Sequence, residues 1–296
     1  MTCFVILHYL VADETISTVN SILKNVEGDL RVIVADNCSP NDSFDVLTEK
    51  YKNEPRVDVI KNSSNAGYAK GINFGYDFAK SKYSPRFIVA MNNDMEIRQG
   101  DFIKRIEHAY KKTKFFVLGP DVYSTSARKH QNPEKSHITS IEDIDRKAES
   151  VRKIMQDTKM LKIKEILRRL KPVYKFYYNI KKTKNDSEYV RKPKAGVCLH
   201  GSCLIFSELF INKREYALYP KTEFYCEAQI LDYECKRDGM RQIYSPYLIV
   251  LHHEDVATEA VNGSYSAKMI KKCERVLASL EIFRQLILKD ERENHG

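Results

Sequence analysis

Short apolar runs alternate with helically spaced apolar positions along the first part of the chain. Residues 3–7 (Cys-Phe-Val-Ile-Leu) and 31–35 (Arg-Val-Ile-Val-Ala) are brief continuous runs, and Ile16, Val19, Ile22 and Leu23 recur between them at helical spacing. That order is β-α-β, and a helical crossover between two adjacent strands makes them parallel. The pattern repeats with a run at Val57, Val59 and Ile60, a helical stretch over residues 68–79, and Phe87-Ile-Val-Ala-Met91, whose unbroken apolar character predicts a strand buried on both faces. Residues 1–125 thus predict an open α/β sheet flanked by helices.

The rhythm breaks near residue 126. A polar loop runs to about Ser140, followed by basic helical stretches that carry Ile163, Ile166, Leu167 and Leu170 at helical spacing. The α/β character returns at Val197–Phe206 and Tyr247–Leu251, and the chain closes on a helix carrying Met269, Cys273, Val276, Leu277, Leu280 and Phe283. The expected organisation is an α/β half over 1–125, a basic helical insertion over 126–194, a second part of the same domain over 195–260, and a C-terminal helix over 261–296. A chain of 296 residues can bury one large core of this kind.

Charge sharpens this division. The formal net charge is +9, yet residues 144–194 alone hold 17 Lys/Arg against 6 Asp/Glu, so the rest of the chain is slightly acidic. Such a strip, with Tyr174, Phe176, Tyr177 and Tyr178 among its cations, suits a solvated helix face or an anionic membrane surface, with Arg168, Arg169 and Lys171 as contact residues. No nucleic-acid-binding motif accompanies it, and no nucleic-acid partner is expected. Seven cysteines without paired metal-ligand spacing predict a reducing, cytoplasmic setting. The first apolar run is too short for a leader peptide, and none approaches the ~20 residues of a membrane span.

In open α/β sheets, ligands bind beyond the carboxyl ends of the strands. Two polar clusters sit there: Asp36-Asn-Cys-Ser-Pro-Asn-Asp42 after the second run, and Asn92-Asn93-Asp94-Met-Glu96 after the fourth. Between them, Asn65-Ala-Gly-Tyr-Ala-Lys-Gly-Ile-Asn-Phe-Gly75 places an Asn at an expected helix N-cap. Its glycines at 67, 71 and 75 form a smooth face, which suits close helix packing or the approach of a phosphate to the helix start. The stretch matches neither the dinucleotide fingerprint nor the P-loop.

Asn92-Asn93-Asp94 resembles the DxD element of glycosyltransferases. The succession Asp36-Asn-Cys-Ser-Pro, Asn65-Ala-Gly-Tyr-Ala with Asn73-Phe-Gly75, and Asn92-Asn-Asp94 is similar to that of family-2 inverting glycosyltransferases of the bacterial glycan-assembly type. The likeness runs over residues 4–125 and resumes from Gly196 to about Thr258. It implies a GT-A-like, Rossmann-like, mostly parallel sheet and a nucleotide-diphosphate sugar donor, UDP or dTDP. It also implies an acceptor glycan, often lipid-linked at the inner face of the plasma membrane, and Mn²⁺ or Mg²⁺ as cofactor.

The resemblance further implies a donor side formed by Tyr9, Asp36, Asn65, Gly67, Asn73, Asn92 and Asn93, with Asp36 on the nucleoside. Asp94 is the implied metal ligand. Val250-Leu-His-His-Glu-Asp255 resembles the late strand whose histidine approaches the metal or diphosphate, and His252 fits that place better than His253. Gly196–Phe206 resembles the strand on the acceptor side. At Phe224-Tyr-Cys-Glu-Ala-Gln-Ile-Leu231 the chain departs from the family, since Ala228 and Gln229 stand where acids are common. Glu227 is the expected general base, with Asp232 and Glu223 as substitutes. The missing acids keep open the alternative of a catalytically inactive, donor-binding subunit of a transferase complex.

Overall fold

The computed structural model describes residues 1–134, 137–169, 189–254 and 264–295. Leu170, Lys171, Tyr174, Phe176, Tyr177, Tyr178, Asp255 and Thr258 lie outside the described residues, as do the side chains of Leu167, Arg168 and Arg169.

In chain order the elements are β1 (Thr2–His8), α1 (Ala12–Asn25), β2 (Leu30–Asp36), α2 (Ser43–Tyr51), β3 (Val57–Lys61), α3 (Tyr68–Tyr83), β4 (Phe87–Asn92), β5 (Met95–Glu96), α4 (Phe102–Thr113), β6 (Val117–Ser124) and β7 (Lys129–His130). There follow α5 (Ile141–Gln156), α6 (Thr158–Arg169), β8 (Lys194–Ala195), β9 (Cys203–Ser207), α7 (Glu208–Lys213), α8 (Glu227–Arg237), β10 (Gln242–His252) and α9 (Tyr265–His295).

The strands join one sheet in the order β3-β2-β1-β4-β9-β6-β10-β5. β3, β2, β1 and β4 are mutually parallel, as the β-α-β reading requires. Alternate residues of these strands feed two cores. Phe4, Ile6, Val32, Val34, Val89 and Met91 pack with Val19, Ile22, Leu47, Phe102 and Ile106 beneath α1, α2 and α4. Cys3, Val5, Ile33, Ile88 and Ala90 pack on the other face with Ile72, Tyr76, Phe210 and Leu231 from α3, α7 and α8. Both faces being covered, β1, β2 and β4 are nearly continuously apolar, while the edge strand β3 is half-buried and carries Asp58 and Lys61.

The sheet is mixed beyond β4. β9 enters antiparallel between β4 and β6, while β10 runs parallel to β6 and so brings its carboxyl end to the same edge as β1, β2 and β4. The apolar run 197–206 becomes strand only from Cys203, because its first residues bond elsewhere: Cys198 O accepts from Glu134 N at 2.9 Å and His200 N donates to Asn132 Oδ1 at 3.0 Å.

The insertion and the C-terminal helix meet. Ile144 and Ala148 of α5, Ile230 of α8, and Leu280, Phe283, Leu286 and Ile287 of α9 form a third core. Ser140 caps α5 by accepting from Asp143 N. On α6, Leu161 is buried, whereas Ile163 and Ile166 face solvent. No described helix is long and apolar enough to cross a membrane.

Candidate active site at the carboxyl ends of the strands

The turn between β4 and β5 is fastened to α1. Thr18 Oγ1 donates to Asn93 O at 2.6 Å and accepts from Met95 N at 3.1 Å. Asn93 Nδ2 donates to Thr15 Oγ1 at 3.0 Å, which in turn bonds His8 Nδ1 at 2.7 Å. Asn93, expected on the donor side, is therefore an inward-facing anchor, since its buried amide is spent on α1. Asn92 Oδ1 accepts from Tyr68 Oη at 3.0 Å, on the opposite side of the turn from α1.

Anchoring the turn fixes Asp94. Its Oδ1 is buried without a hydrogen bond and lies 3.3 Å from His252 Nε2, at the end of β10. The other ring nitrogen, His252 Nδ1, bonds Gln131 Oε1 at 2.8 Å, and the orientation of that amide is set by Gln131 Nε2 donating to Glu254 Oε1. With Nδ1 held by Gln131, the ring turns its Nε2 toward the Asp94 carboxylate. A hard anionic oxygen beside an imidazole suits Mn²⁺ or Mg²⁺, so the residues fit such an ion. Among the described residues no group of three or more His, Cys, Asp and Glu gathers to hold a metal, so further ligands have to come from substrate or water. His253 turns away, bonding Glu96 Oε2 at 3.1 Å and Thr125.

His200 stacks edge-on to His252, with ring centroids 6.2 Å apart. Burial and the neighbouring His252 push its pKa down to about 4, so it is neutral at physiological pH.

The carboxylate at the start of α8 is the most perturbed acid near this edge. Tyr225 (φ 73°) and Cys226 (φ 66°) precede Glu227 in the left-handed region, a strained approach that turns the chain into the helix. Glu227 is 8% exposed, its Oε1 has no hydrogen-bond partner, and burial lifts its pKa to about 7. Tyr68 Oη bonds Asn92, two residues before Asp94, and Gly201 O, and a Cβ on Gly201 would lie 3.5 Å from that of Ala228, so Tyr68 and Gly201 link the turn of Asp94 to the start of α8.

Asp232 is engaged elsewhere. Its Oδ2 accepts from Lys236 Nζ at 2.7 Å and His137 Nδ1 at 2.9 Å, and its Oδ1 lies 3.1 Å from the Gln242 amide. A buried carboxylate held by three groups in this way acts first as a structural anchor. Glu223 contributes its backbone to the site: its carbonyl accepts from Tyr68 N at 2.6 Å.

That contact revises the donor side. α3 starts at Tyr68 with Gly67 as its N-cap, not Asn65, and one of its terminal N–H groups is already taken by Glu223. A Cβ on Gly67 (φ 89°) would sit 2.4 Å from Glu223 O, so this loop closure demands glycine. Cβ atoms on Gly71 and Gly75 would come 2.5 Å from Leu7 and 2.4 Å from Val5, which makes their role close packing against β1. Asn65 Oδ1 accepts from Gly67 N and Asn37 Nδ2, shaping the turn before α3.

Asn73 is likewise corrected. Its Oδ1 accepts from Ala217 N and Leu218 N, and its Nδ2 donates to Leu218 O at 2.7 Å, so this buried amide is engaged chiefly with the loop after α7. Asp36 is fully buried, with Ser39 N and Oγ donating to it, and Ser39 Oγ accepts from Leu10 N at 2.9 Å. It organises the loop that carries half-buried Tyr9 and offers no free surface to a nucleoside in this structure.

Tyr68, Gln131, His200 and Glu254 were not singled out in the sequence. Three of them lie inside the stretches quoted for other residues, and an aromatic in the first turn of α3 was the readable signal for Tyr68.

The profile of Glycosyl transferase family 2 matches residues 3–178. No curated protein sequence matches the chain. Among solved structures it is similar to S. aureus TarS 1-349 in complex with UDP-GlcNAc, at 14% identity and TM-score 0.51 over 97% of this chain and 72% of that one. It is also similar to the same fragment with UDP, at 13% identity and TM-score 0.52 over 92% and 70%. GalNAc-T7 with UDP, GalNAc and Mn²⁺ matches at 11% identity and TM-score 0.58 over 92% of this chain and 47% of that chain, so the chain spans about half of its length. With more than half of its residues matched and a sheet of this order, the chain belongs to glycosyl transferase family 2 and has the GT-A fold.

Proposed function

We propose that the protein transfers a sugar from a UDP- or dTDP-sugar to a hydroxyl of a glycan acceptor, with inversion and with a divalent cation. One observation carries the reading: an Asp94 oxygen without a hydrogen bond stands 3.3 Å from His252 Nε2, on the same edge as the buried Glu227 carboxylate, whose Oε1 has no partner and whose pKa burial lifts to about 7. A cation held by Asp94 and His252 would neutralise charge on the leaving diphosphate. Mn²⁺ accompanies UDP in the GalNAc-T7 structure, and TarS holds UDP-GlcNAc, which supports this donor class.

Glu227 is the base in this reading. Its carboxylate takes the proton of the acceptor hydroxyl while that oxygen bonds the anomeric carbon and the bond from that carbon to the diphosphate oxygen breaks. A pKa near 7 suits a base that must be ionised at neutral pH yet still hold the proton it receives. Asn92 and Tyr68 line the donor side, with Tyr9 beside the nucleoside and Asp36 acting through Ser39 and Leu10. Gln131 orients His252, and Glu254 orients Gln131.

Ala228 and Gln229, and the engagement of Asp232, favour as second reading a donor-binding subunit without transfer activity. Thermal stabilisation by a panel of UDP- and dTDP-sugars, with and without Mn²⁺, tests the donor claim. Stabilisation by none of them removes both readings. Tight donor binding without transfer or slow donor hydrolysis selects the second.

A further inference from the structure

Helix α6 turns a face of mixed apolar and cationic character to solvent. Leu161, 3% exposed, marks its inner side, together with Glu165, whose Oε2 accepts from Ser266 Oγ at 2.6 Å. At about 100° per residue, Ile163 and Ile166 fall on the opposite side of the helix, with Lys159 between them and Met160 and Lys162 at the flanks. Met160, Ile163 and Ile166 are 45%, 51% and 59% exposed, and Lys159 and Lys162 are exposed beside them. An amphipathic helix normally buries its aliphatic stripe in the core, whereas this one also presents aliphatic side chains outward among lysines.

We propose that this outer face of α6 docks on an anionic lipid bilayer, the isoleucines entering the headgroup–acyl boundary and the lysine stems extending to lipid phosphates. The chemistry of the face selects the occupant. α6 carries five Lys/Arg and a single Glu, so a second copy would set like charges against each other. Nucleic acid would leave the aliphatic side chains without a stacking partner. A bilayer with anionic headgroups satisfies both features at once.

The position of this face connects it to the site. Ser266 of α9 bonds Glu165 of α6, and Ser279, thirteen residues or about 20 Å of helix further on, donates from its Oγ to Phe224 O at 2.7 Å. Arg275 stacks over the Phe224 ring at 4.4 Å and Lys272 over Tyr225 at 5.4 Å, just ahead of Glu227. The docked face and the start of α8 are thus joined through one rigid helix. The consequence, an acceptor presented on a lipid carrier beside Glu227, rests on the transferase reading; the docking itself does not.

The test is co-sedimentation of the full chain with vesicles of phosphatidylcholine alone and of phosphatidylcholine mixed with phosphatidylglycerol. The wild-type protein should partition onto the mixed vesicles, less so as salt rises. I163S/I166S should weaken partitioning roughly tenfold or more while leaving the melting temperature unchanged, since both residues are exposed. Lys159→Gln/Lys162→Gln should weaken it with a shallower salt dependence. Equal binding by I163S/I166S, or no binding by the wild type, overturns the proposal. So does a wild-type dimer in the ultracentrifuge that I163S/I166S dissociates without any vesicle binding, which would make the face a self-interface. Donor-dependent thermal stabilisation reads the transferase proposal separately.

Discussion

His252 Nε2 stands 3.3 Å from Asp94 Oδ1, so the last residue of β10 meets the turn that follows β4. The backbone repeats the connection, with His253 N donating to Asp94 O at 2.9 Å. Two segments far apart in sequence thereby hold an oxygen and an imidazole nitrogen in one place, each supported from behind by α1 or by Gln131. This pairing makes the cation claim testable at a single atom.

Asp94→Asn keeps the shape of the side chain and removes its charge. Transfer should be lost, and stabilisation by a UDP-sugar should no longer respond to Mn²⁺, while the melting temperature of the free protein stays close to that of the wild type. Turnover at the wild-type level would remove Asp94 from the metal role.

The Glu227 carboxyl titrates near pH 7, and only its ionised form accepts a proton. kcat/KM should therefore rise about tenfold per pH unit below 7 and level off above it. Glu227→Gln should lower kcat by roughly 10²–10⁴-fold, abolish that limb and leave donor affinity little changed. Asp232→Asn, acting on a carboxylate already held by Lys236 and His137, should cost stability and leave kcat per folded molecule intact. A dead Asp232→Asn beside an active Glu227→Gln would transfer the role to Asp232.

The same burial that tunes Glu227 destabilises the fold. Its folded pKa lies above its ordinary value, so between about pH 4.5 and 7 the folded state keeps a proton that the unfolded chain has lost, and stability falls as pH rises through that window. Glu227→Gln removes this titration. The variant should gain on the wild type from pH 5 to pH 8, by up to about 3 kcal/mol. Denaturant melts at the two pH values give the difference directly, and an unchanged gap would mean that Glu227 ionises as an exposed glutamate does.

Asn73→Ala separates anchoring from donor binding. It strands the backbone N–H groups of Ala217 and Leu218 and the carbonyl of Leu218, which should cost about 1–3 kcal/mol of stability. The KM for donor should be unchanged at temperatures where the variant is folded. A raised KM with full stability would return Asn73 to the donor side.

The strands β1 to β4 were legible to within about a residue at each end, because a strand covered on both faces has to be apolar throughout and its limits fall where polar residues begin. The carboxyl-edge positions of Asp94 and His252 were legible for a related reason: each residue ends or follows such a run. The smooth glycine face of α3 was visible as a pattern, but its use in close packing required knowing that Leu7 and Val5 stand opposite.

Local sequence is silent on which segment packs against a polar side chain. Asn73 and Asn93 read as ligand contacts until Leu218 and Thr15 came to meet them, and Asp232 read as a spare acid until Lys236 and His137 filled it. Ile163 and Ile166 carry helical spacing, and only the structure shows that they face solvent. The sequence by itself determined the parallel half of the sheet and the strand-end place of Asp94, which follow from periodicity along the chain, and the family likeness, which follows from the succession of its motifs. Only the tertiary structure decided which carboxylates stay unpartnered, because hydrogen-bond satisfaction belongs to contacts between distant segments.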